Sequence, residues 1–179
     1  KALVKESKRV SIDPFRTLLE GADRVSLQIP ILNRTLQFNL QPAKRSKVKY
    51  EGDVITVSVS ERVNQRELSH WLWRILASFT QTEIESKVQH INRESFNARI
   101  DRIVVRHMKS QWGSCSSQGT ITLNTALLLV PEQIFTYVVI HELAHRLHRN
   151  HSAKFWNAIE QVLPEYEKAR QMLRKFKLT

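Results

Sequence analysis

The stretch VVIHELAHRLHRNH, residues 138–151, contains the pair of histidines on which the interpretation of the whole chain depends. His141 and His145 are four residues apart, so a helix places both imidazoles on one face, one turn from each other. Glu142 follows the first histidine and can hold a water beside a metal. This is the metalloprotease arrangement, in which the metal lowers the pKa of water to about 7 and the glutamate acts as general base. We therefore predict a metal site with Glu142 as its catalytic residue.

An amphipathic helix with histidines in chance positions is the alternative interpretation. It would place two imidazoles directly after Val138, Val139 and Ile140, in the most apolar predicted helix of the chain. Buried imidazoles need polar partners there, and a metal supplies them. The metal site is the favoured interpretation.

The third ligand has candidates of two kinds, another histidine or a later glutamate. His148 shares the helical stripe of the pair but lies about 10 Å along the axis from its first member, which is a poor reach. His151 is reachable if the chain reverses at residues 149–150, where an asparagine tolerates the left-handed conformation. Glu160 or Glu165 would instead complete a His-His-Glu site. The order of preference is His151, then Glu165, with His148 last.

The hydrophobic pattern on the N-terminal side of the site predicts strands, then a helix. Three sets of apolar residues alternate with period two and predict an antiparallel meander with one buried face, followed by a capping box at Asn64 and Glu67. Ala43 to Lys49 is expected to be a loop or a charged edge. The main predicted segments are a short helix from Asp13-Pro14, strands near residues 25–31, 36–40 and 55–59, one long helix or two joined helices over 65–97, strands over 101–108 and 120–124, one helix over 131–150, and helices beginning at Ser152 and Pro164.

Composition limits the class of protein. The chain has 179 residues, of which 41% are hydrophobic, and this predicts one domain, which we expect to be a monomer. No apolar run approaches the ~18 residues that a membrane span needs, and Lys1 to Lys5 lacks the apolar core of a signal peptide. The single cysteine favours a reducing, cytoplasmic location. The net charge of +11 would attract polyanions such as nucleic acid.

Residues 109–156 resemble the YgjP-like metallopeptidase family, which is related to the SprT and WLM zinc peptidases. The resemblance is carried by Trp112-Gly113-Ser114-Cys115, Leu123-Asn124, the His141 to His145 motif, Asn150-His151-Ser152 and Phe155-Trp156. It implies zinc on His141, His145 and His151, with Glu142 catalytic. Gln111 departs from the family, which usually has a basic residue at that position.

Residues around the motif have predicted supporting roles. Cys115 is expected to pack against the site helix rather than to act as a nucleophile, because no separate base is evident. The strand Gly119 to Asn124 is a candidate edge for pairing with an extended peptide. The candidates for an electrophile that stabilises the transition-state oxyanion are Tyr137, His148, Tyr166 and Arg106.

These observations predict an α+β, zincin-like fold in a single domain over residues 1–179. It would have a small, mostly antiparallel sheet, a backing helix, the site helix and C-terminal helices, with residues up to about 60 rich in strands. The predicted function is zinc-dependent hydrolysis of peptide bonds. The alternatives are a DNA-associated, SprT-like protease and a metal-dependent phosphohydrolase that acts on nucleotides.

Overall fold

The computed structural model describes residues 9–178, and over this range it is an α+β fold. Lys1 to Lys5, on which the signal-peptide prediction was based, lie outside the described residues. Its elements are β1 (Val10–Ser11), α1 (Arg16–Leu19), β2 (Arg24–Ile29), β3 (Arg34–Pro42), β4 (Lys47–Glu51), β5 (Val54–Val59), α2 (Gln65–Glu94), β6 (Arg102–Arg106), β7 (Gly113–Cys115), β8 (Thr120–Asn124), α3 (Glu132–Ala144), α4 (Ala153–Val162), α5 (Tyr166–Leu173) and β9 (Phe176–Lys177). Two 3-10 turns, Pro30–Leu32 and Thr125–Leu129, complete them.

The first sheet has four strands, in the order β2-β3-β5-β4. Strands β2 and β3 are antiparallel, as are β4 and β5, but β3 and β5 pair in parallel. The predicted antiparallel meander is therefore wrong at its centre. Alternation along a strand reports which face is buried and not which strand lies beside it. Both parts of the prediction for the basic segment are confirmed: residues 43–46 connect two strands as a loop, and β4, which begins at Lys47, ends the sheet with mostly exposed residues.

The second sheet lies next to the site helix and has the order β6-β8-β7. Strand β8 pairs in parallel with β6 and antiparallel with β7, so it is the central strand. The prediction that Gly119 to Asn124 forms an edge is wrong. The outer side of β6 is covered by Gln81 of α2, which donates to the Ile103 carbonyl at 2.8 Å and accepts from the Val105 N–H at 2.9 Å. The edge of this sheet that remains open is β7.

Helix α2 is the predicted backing helix, formed as one continuous element of 30 residues. The predicted capping box is confirmed: Asn64 Oδ1 accepts from the Glu67 N–H at 3.0 Å, and the Glu67 carboxylate accepts from the Asn64 N–H at 3.1 Å. Its apolar stripe includes Leu72, Ile84 and Val88, which are fully buried. The helix contacts both β6 and α3, so it connects the second sheet to the site helix.

The site helix α3 is buried on nearly all sides, and it ends at Ala144 rather than at the predicted Asn150. The chain leaves the helix through tight turns, in which Arg146 N–H donates to the Leu143 carbonyl and Leu147 N–H donates to the Ala144 carbonyl. The buried apolar residues that hold the helix against the core end at Ala144. No helix among residues 9–178 is long and apolar enough to cross a membrane.

Candidate metal centre

Three histidine side chains converge at the C-terminal end of α3. The ligand nitrogens of His141, His145 and His151 all lie within 4.8 Å of one another. His141 Nε2 and His151 Nε2 are 3.0 Å apart. In a tetrahedral zinc site with Zn–N bonds near 2.05 Å, two ligand nitrogens are separated by roughly 3.3 Å. The three side chains therefore offer nitrogen donors that lie close enough together to bind one metal ion.

His141 lies in the last turn of α3, His145 is its C-cap residue with helical backbone angles, and His151 comes from the segment that follows. The reversal starts at Ala144, where the carbonyl accepts from the His148 N–H at 2.9 Å. The predicted left-handed turn at Asn150 is wrong, because among the described residues only Asn33 and Asn97 are non-glycines with positive φ. An earlier and tighter exit from the helix thus returns His151 to the pair.

His145 has a hydrogen bond that fixes its tautomer. Its Nδ1 lies 3.1 Å from the His148 carbonyl oxygen, which can only accept, so the proton is on Nδ1. The lone pair of Nε2 is then available on the side of the cluster. The sequence did not identify this partner. His148 therefore supports the site through its backbone, which agrees with its last place among the candidate ligands.

His141 lies deeper than the other two histidines. Burial, followed by the neighbouring His145 and His151, lowers the pKa of His141 to about 4. Burial also lowers the pKa of His145. Both imidazoles are consequently neutral near pH 7, the protonation state in which an imidazole can bind a metal.

An aromatic surface supports the three rings from α4. The ring centroid of Phe155, which is fully buried, is 5.0, 4.7 and 4.8 Å from those of His141, His145 and His151. Trp156 stacks on His151 at 5.7 Å, and the Arg170 guanidinium lies 4.7 Å above the Trp156 ring. His151 is exposed, and the stacking on Trp156 therefore orients its ring in addition to the chain reversal that places its backbone.

Replacing Phe155 with alanine tests this support. We expect the free energy of unfolding of the metal-free protein to fall by about 3–5 kcal/mol, and the metal affinity of the folded protein to fall as well. Phe38, equally buried in the first sheet, is the matched control. Phe38→Ala should lose similar stability and keep its metal affinity. Denaturant unfolding and metal titration measure the two quantities, and equal metal affinities in the two variants would contradict the assigned role.

Glu142 faces a cleft of about 620 Å³, together with the three histidines and residues 113–117. Its side chain is only 7% exposed, and desolvation raises the pKa of this carboxyl to about 7. Gly113 lies directly against it, since a Cβ built on that glycine would be 2.8 Å from both Cγ and Oε1 of Glu142. The predicted catalytic residue is therefore in the cleft beside the predicted ligands.

The predicted alternatives to His151 lie elsewhere. Glu165 is exposed and forms an ion pair with Lys168, and Glu160 is exposed on α4 outside the histidine cluster. Among the candidate electrophiles, Arg106 is exposed at the end of β6 and does not line the cleft. Tyr137 lies 5.9 Å from the His141 ring and stacks on Tyr166 at 6.4 Å. Tyr137 therefore contacts the His141 ring, while His148 contacts His145 through its backbone carbonyl.

Cys115 is half-buried at the cleft wall and packs against the main core; its predicted packing against the site helix stays a prediction. Burial raises the pKa of this thiol, so the nucleophilic thiolate is disfavoured.

Arg146, which lines the cleft, and Asn124 of β8 each bind several backbone carbonyls, and the sequence did not predict these contacts. Arg146 donates to the carbonyls of Arg99, Ser116 and Ser117 at 3.1, 3.3 and 3.1 Å, and so holds the turn after β7 against the end of α3. Asn124 Nδ2 donates to the Met108 and Gln111 carbonyls at 2.6 and 2.7 Å. These contacts link residues that are distant in sequence, and nothing in the local pattern indicates them.

Among known proteins, no curated sequence matches this chain. Two solved structures are similar. The first is the metallopeptidase zymogen of Pyrococcus abyssi abylysin, which is 28% identical with a TM-score of 0.47. The similar region covers 54% of this chain and 99% of the abylysin chain. The metallopeptidase zymogen of Methanocaldococcus jannaschii jannalysin is 29% identical with a TM-score of 0.41, covering 50% of this chain and 96% of its own. The model of the YgjP-like, metallopeptidase domain family matches residues 7–176, and the chain therefore belongs to that family.

Proposed function

We propose that this metallopeptidase is a zinc enzyme in which His141, His145 and His151 hold the metal and Glu142 is the general base. The observation that supports it most is the convergence of three imidazole nitrogens within 4.8 Å, beside a buried carboxylate at a cleft. Three imidazole nitrogen donors beside a cleft that can admit a water or a substrate are the donor set of catalytic zinc sites. Bound Zn²⁺ would supply a Lewis acid and lower the pKa of water to about 7.

Glu142 has the environment of a base that takes and returns one proton. Its burial raises the pKa of the carboxyl to about 7, and a bound dication nearby would favour the ionised form and lower that pKa. The ionised carboxylate would accept the proton of the attacking water and then donate it to the leaving amine. A pKa near the working pH suits both transfers.

The open edge of β7 is the proposed binding site for the substrate backbone. The Trp112 carbonyl accepts from Asn124 N–H and the Ser116 N–H donates to the Thr120 carbonyl, both at 2.9 Å. Hydrogen bonding alternates along an antiparallel strand, so the backbone groups of Gly113 and Cys115 are directed away from β8. Since Gln81 already covers the opposite edge of this sheet, an extended peptide would add beside β7, next to the histidines.

N-methylation of substrate backbone amides tests this pairing. A peptide that adds as a strand uses alternate amides, so methylation should lower kcat/KM at every second position near the scissile bond. The expected loss is roughly 3- to 10-fold at the sensitive positions, the range for one backbone hydrogen bond. The intervening positions are the internal control. A scan without a period of two would contradict binding at the β7 edge.

Metal analysis followed by activity screening tests the proposed function. The purified protein should contain about one zinc per chain, cleave members of a peptide library, lose activity when zinc is chelated, and regain it when zinc is restored. Nucleotides and phosphoesters should not be hydrolysed. Hydrolysis of nucleotides without peptide cleavage would replace the peptidase proposal with the phosphohydrolase alternative.

We also propose a cellular location, an oligomeric state and a candidate nucleic-acid partner. A single free cysteine, Cys115, supports a reducing, cytoplasmic location, and we propose that the protein acts as a monomer. The net charge of +11 leaves the DNA-associated protease as a second candidate. Stimulation of peptide cleavage by DNA, falling steeply with salt, would support that candidate.

A further inference from the structure

We propose that Gly113 is a positioning residue for Glu142, in addition to its place in β7. The inference rests on the proposed role of Glu142 as base. A Cβ at position 113 would lie 2.8 Å from Cγ and Oε1 of Glu142 and 3.1 Å from its Cδ. These distances are shorter than carbon–carbon van der Waals contact, so any side chain at 113 must displace the carboxylate. Because Gly113 has no side chain, the Glu142 carboxylate can occupy the position that it has in the structure.

The backbone at Gly113 does not require glycine. The glycines with positive φ are Gly21, Gly52 and Gly119, with φ of 108°, 59° and 98°. Gly113 is instead part of β7 and pairs with Leu123 of β8, a strand conformation that alanine can adopt. The cost of a methyl group at 113 therefore falls on the contact with Glu142 and not on the strand.

Strand β7 cannot move aside, because buried Asn124 anchors the segment before it. Asn124 is 1% exposed; its backbone N–H donates to the Trp112 carbonyl at 2.9 Å and its side chain donates to the Gln111 carbonyl at 2.7 Å. Its Oδ1 accepts from the Ala126 N–H at 3.1 Å. Releasing this segment would leave the buried backbone N–H of Asn124 without its acceptor and would remove one of the two acceptors of its side-chain amide.

Glu142 is held from the other side by its own helix. It is 7% exposed, and the next two residues, Leu143 and Ala144, are fully buried. Helix α3 is therefore fixed in the core, and the carboxylate can yield only by rotating its side chain within the cleft. Rotation would move the carboxylate away from the position that it needs for proton transfer, and a misplacement of about 1 Å can cost roughly 100-fold in rate.

The first measurement is steady-state kinetics of Gly113→Ala. We expect kcat to fall about 10- to 100-fold, with zinc content unchanged and KM changed less than kcat. Gly21→Ala is the control: it replaces a glycine with φ of 108° that has open space around it, so it should lower stability and leave kcat unchanged. A Gly113→Ala enzyme with wild-type kcat would overturn the proposal.

The second measurement is a double-mutant cycle on stability, which needs no activity. Gly113→Ala should lower the unfolding midpoint in the wild-type background and lower it less, or not at all, in Glu142→Ala. If the single variant does not fold, rescue by Glu142→Ala supports the contact, and failure of both variants overturns it. Equal shifts in the two backgrounds overturn it as well. Loss of the peptidase proposal would appear instead as an inactive wild-type protein whose cycle still shows coupling.

Discussion

Glu142→Gln is expected to leave zinc binding intact and to reduce peptide hydrolysis by about 10²- to 10⁴-fold, the range that general base catalysis contributes. Glutamine has the shape of glutamate but cannot accept a proton from water. Because Glu142 is 7% exposed, a neutral side chain of the same size should not destabilise the fold. The measurements are zinc per chain, kcat on a peptide found in the library screen, and the unfolding midpoint.

The control for this variant is Glu160→Gln, an exposed carboxylate on α4 outside the histidine cluster. It should retain wild-type kcat and zinc content. Wild-type turnover in Glu142→Gln would exclude this residue as the base. Loss of zinc from the same variant would indicate that the carboxylate acts on the metal site rather than on the water.

The part of the site that the sequence predicts is the part formed by local geometry. His141 and His145 are four residues apart, so their spacing alone places them on one helix face, and Glu142 follows directly after the first of them. The capping box of α2 is predictable for the same reason, since Asn64 and Glu67 are three residues apart. In both places the arrangement depends on neighbouring turns of one helix, so it can be predicted from the spacing of the residues.

The errors in the two sheets concern contacts between residues far apart in sequence. The parallel pairing of β3 with β5 and the central position of β8 depend on which strands meet, and a pattern of buried residues does not encode this. Gly113 shows the same limit. The sequence places it in a motif, but its contact with Glu142 connects residues 29 positions apart and becomes evident only in the folded chain.

The end of α3 shows why His148 lies outside the histidine cluster although it continues the helical stripe of the pair. The helical stripe continues through His148 only if the helix does, and α3 ends at Ala144. Arg146, Arg149 and Asn150 then give the chain no apolar face to bury, so tertiary packing does not extend the helix. The earlier exit brings His151 into the histidine cluster and places the His148 carbonyl against His145 Nδ1.

His151→Ala and His148→Ala should separate these two roles. His151→Ala removes a proposed ligand, and we expect zinc affinity to fall by more than about 100-fold, beyond the loss typical of a supporting group. Because His151 is exposed, the metal-free fold should keep its stability. His148→Ala keeps the backbone carbonyl that accepts from His145 Nδ1, so its zinc affinity should stay close to that of the wild type.

Zinc titration and unfolding with and without zinc measure both effects. Zinc should raise the unfolding midpoint of the wild type and of His148→Ala, but much less that of His151→Ala, because a ligand stabilises a fold in proportion to its affinity for the native state. The reverse result, with zinc lost from His148→Ala and retained by His151→Ala, would move the third ligand to the imidazole of His148. Retention of zinc by both variants would require a ligand outside the histidine cluster, and the metal centre formed by His141, His145 and His151 would then be wrong.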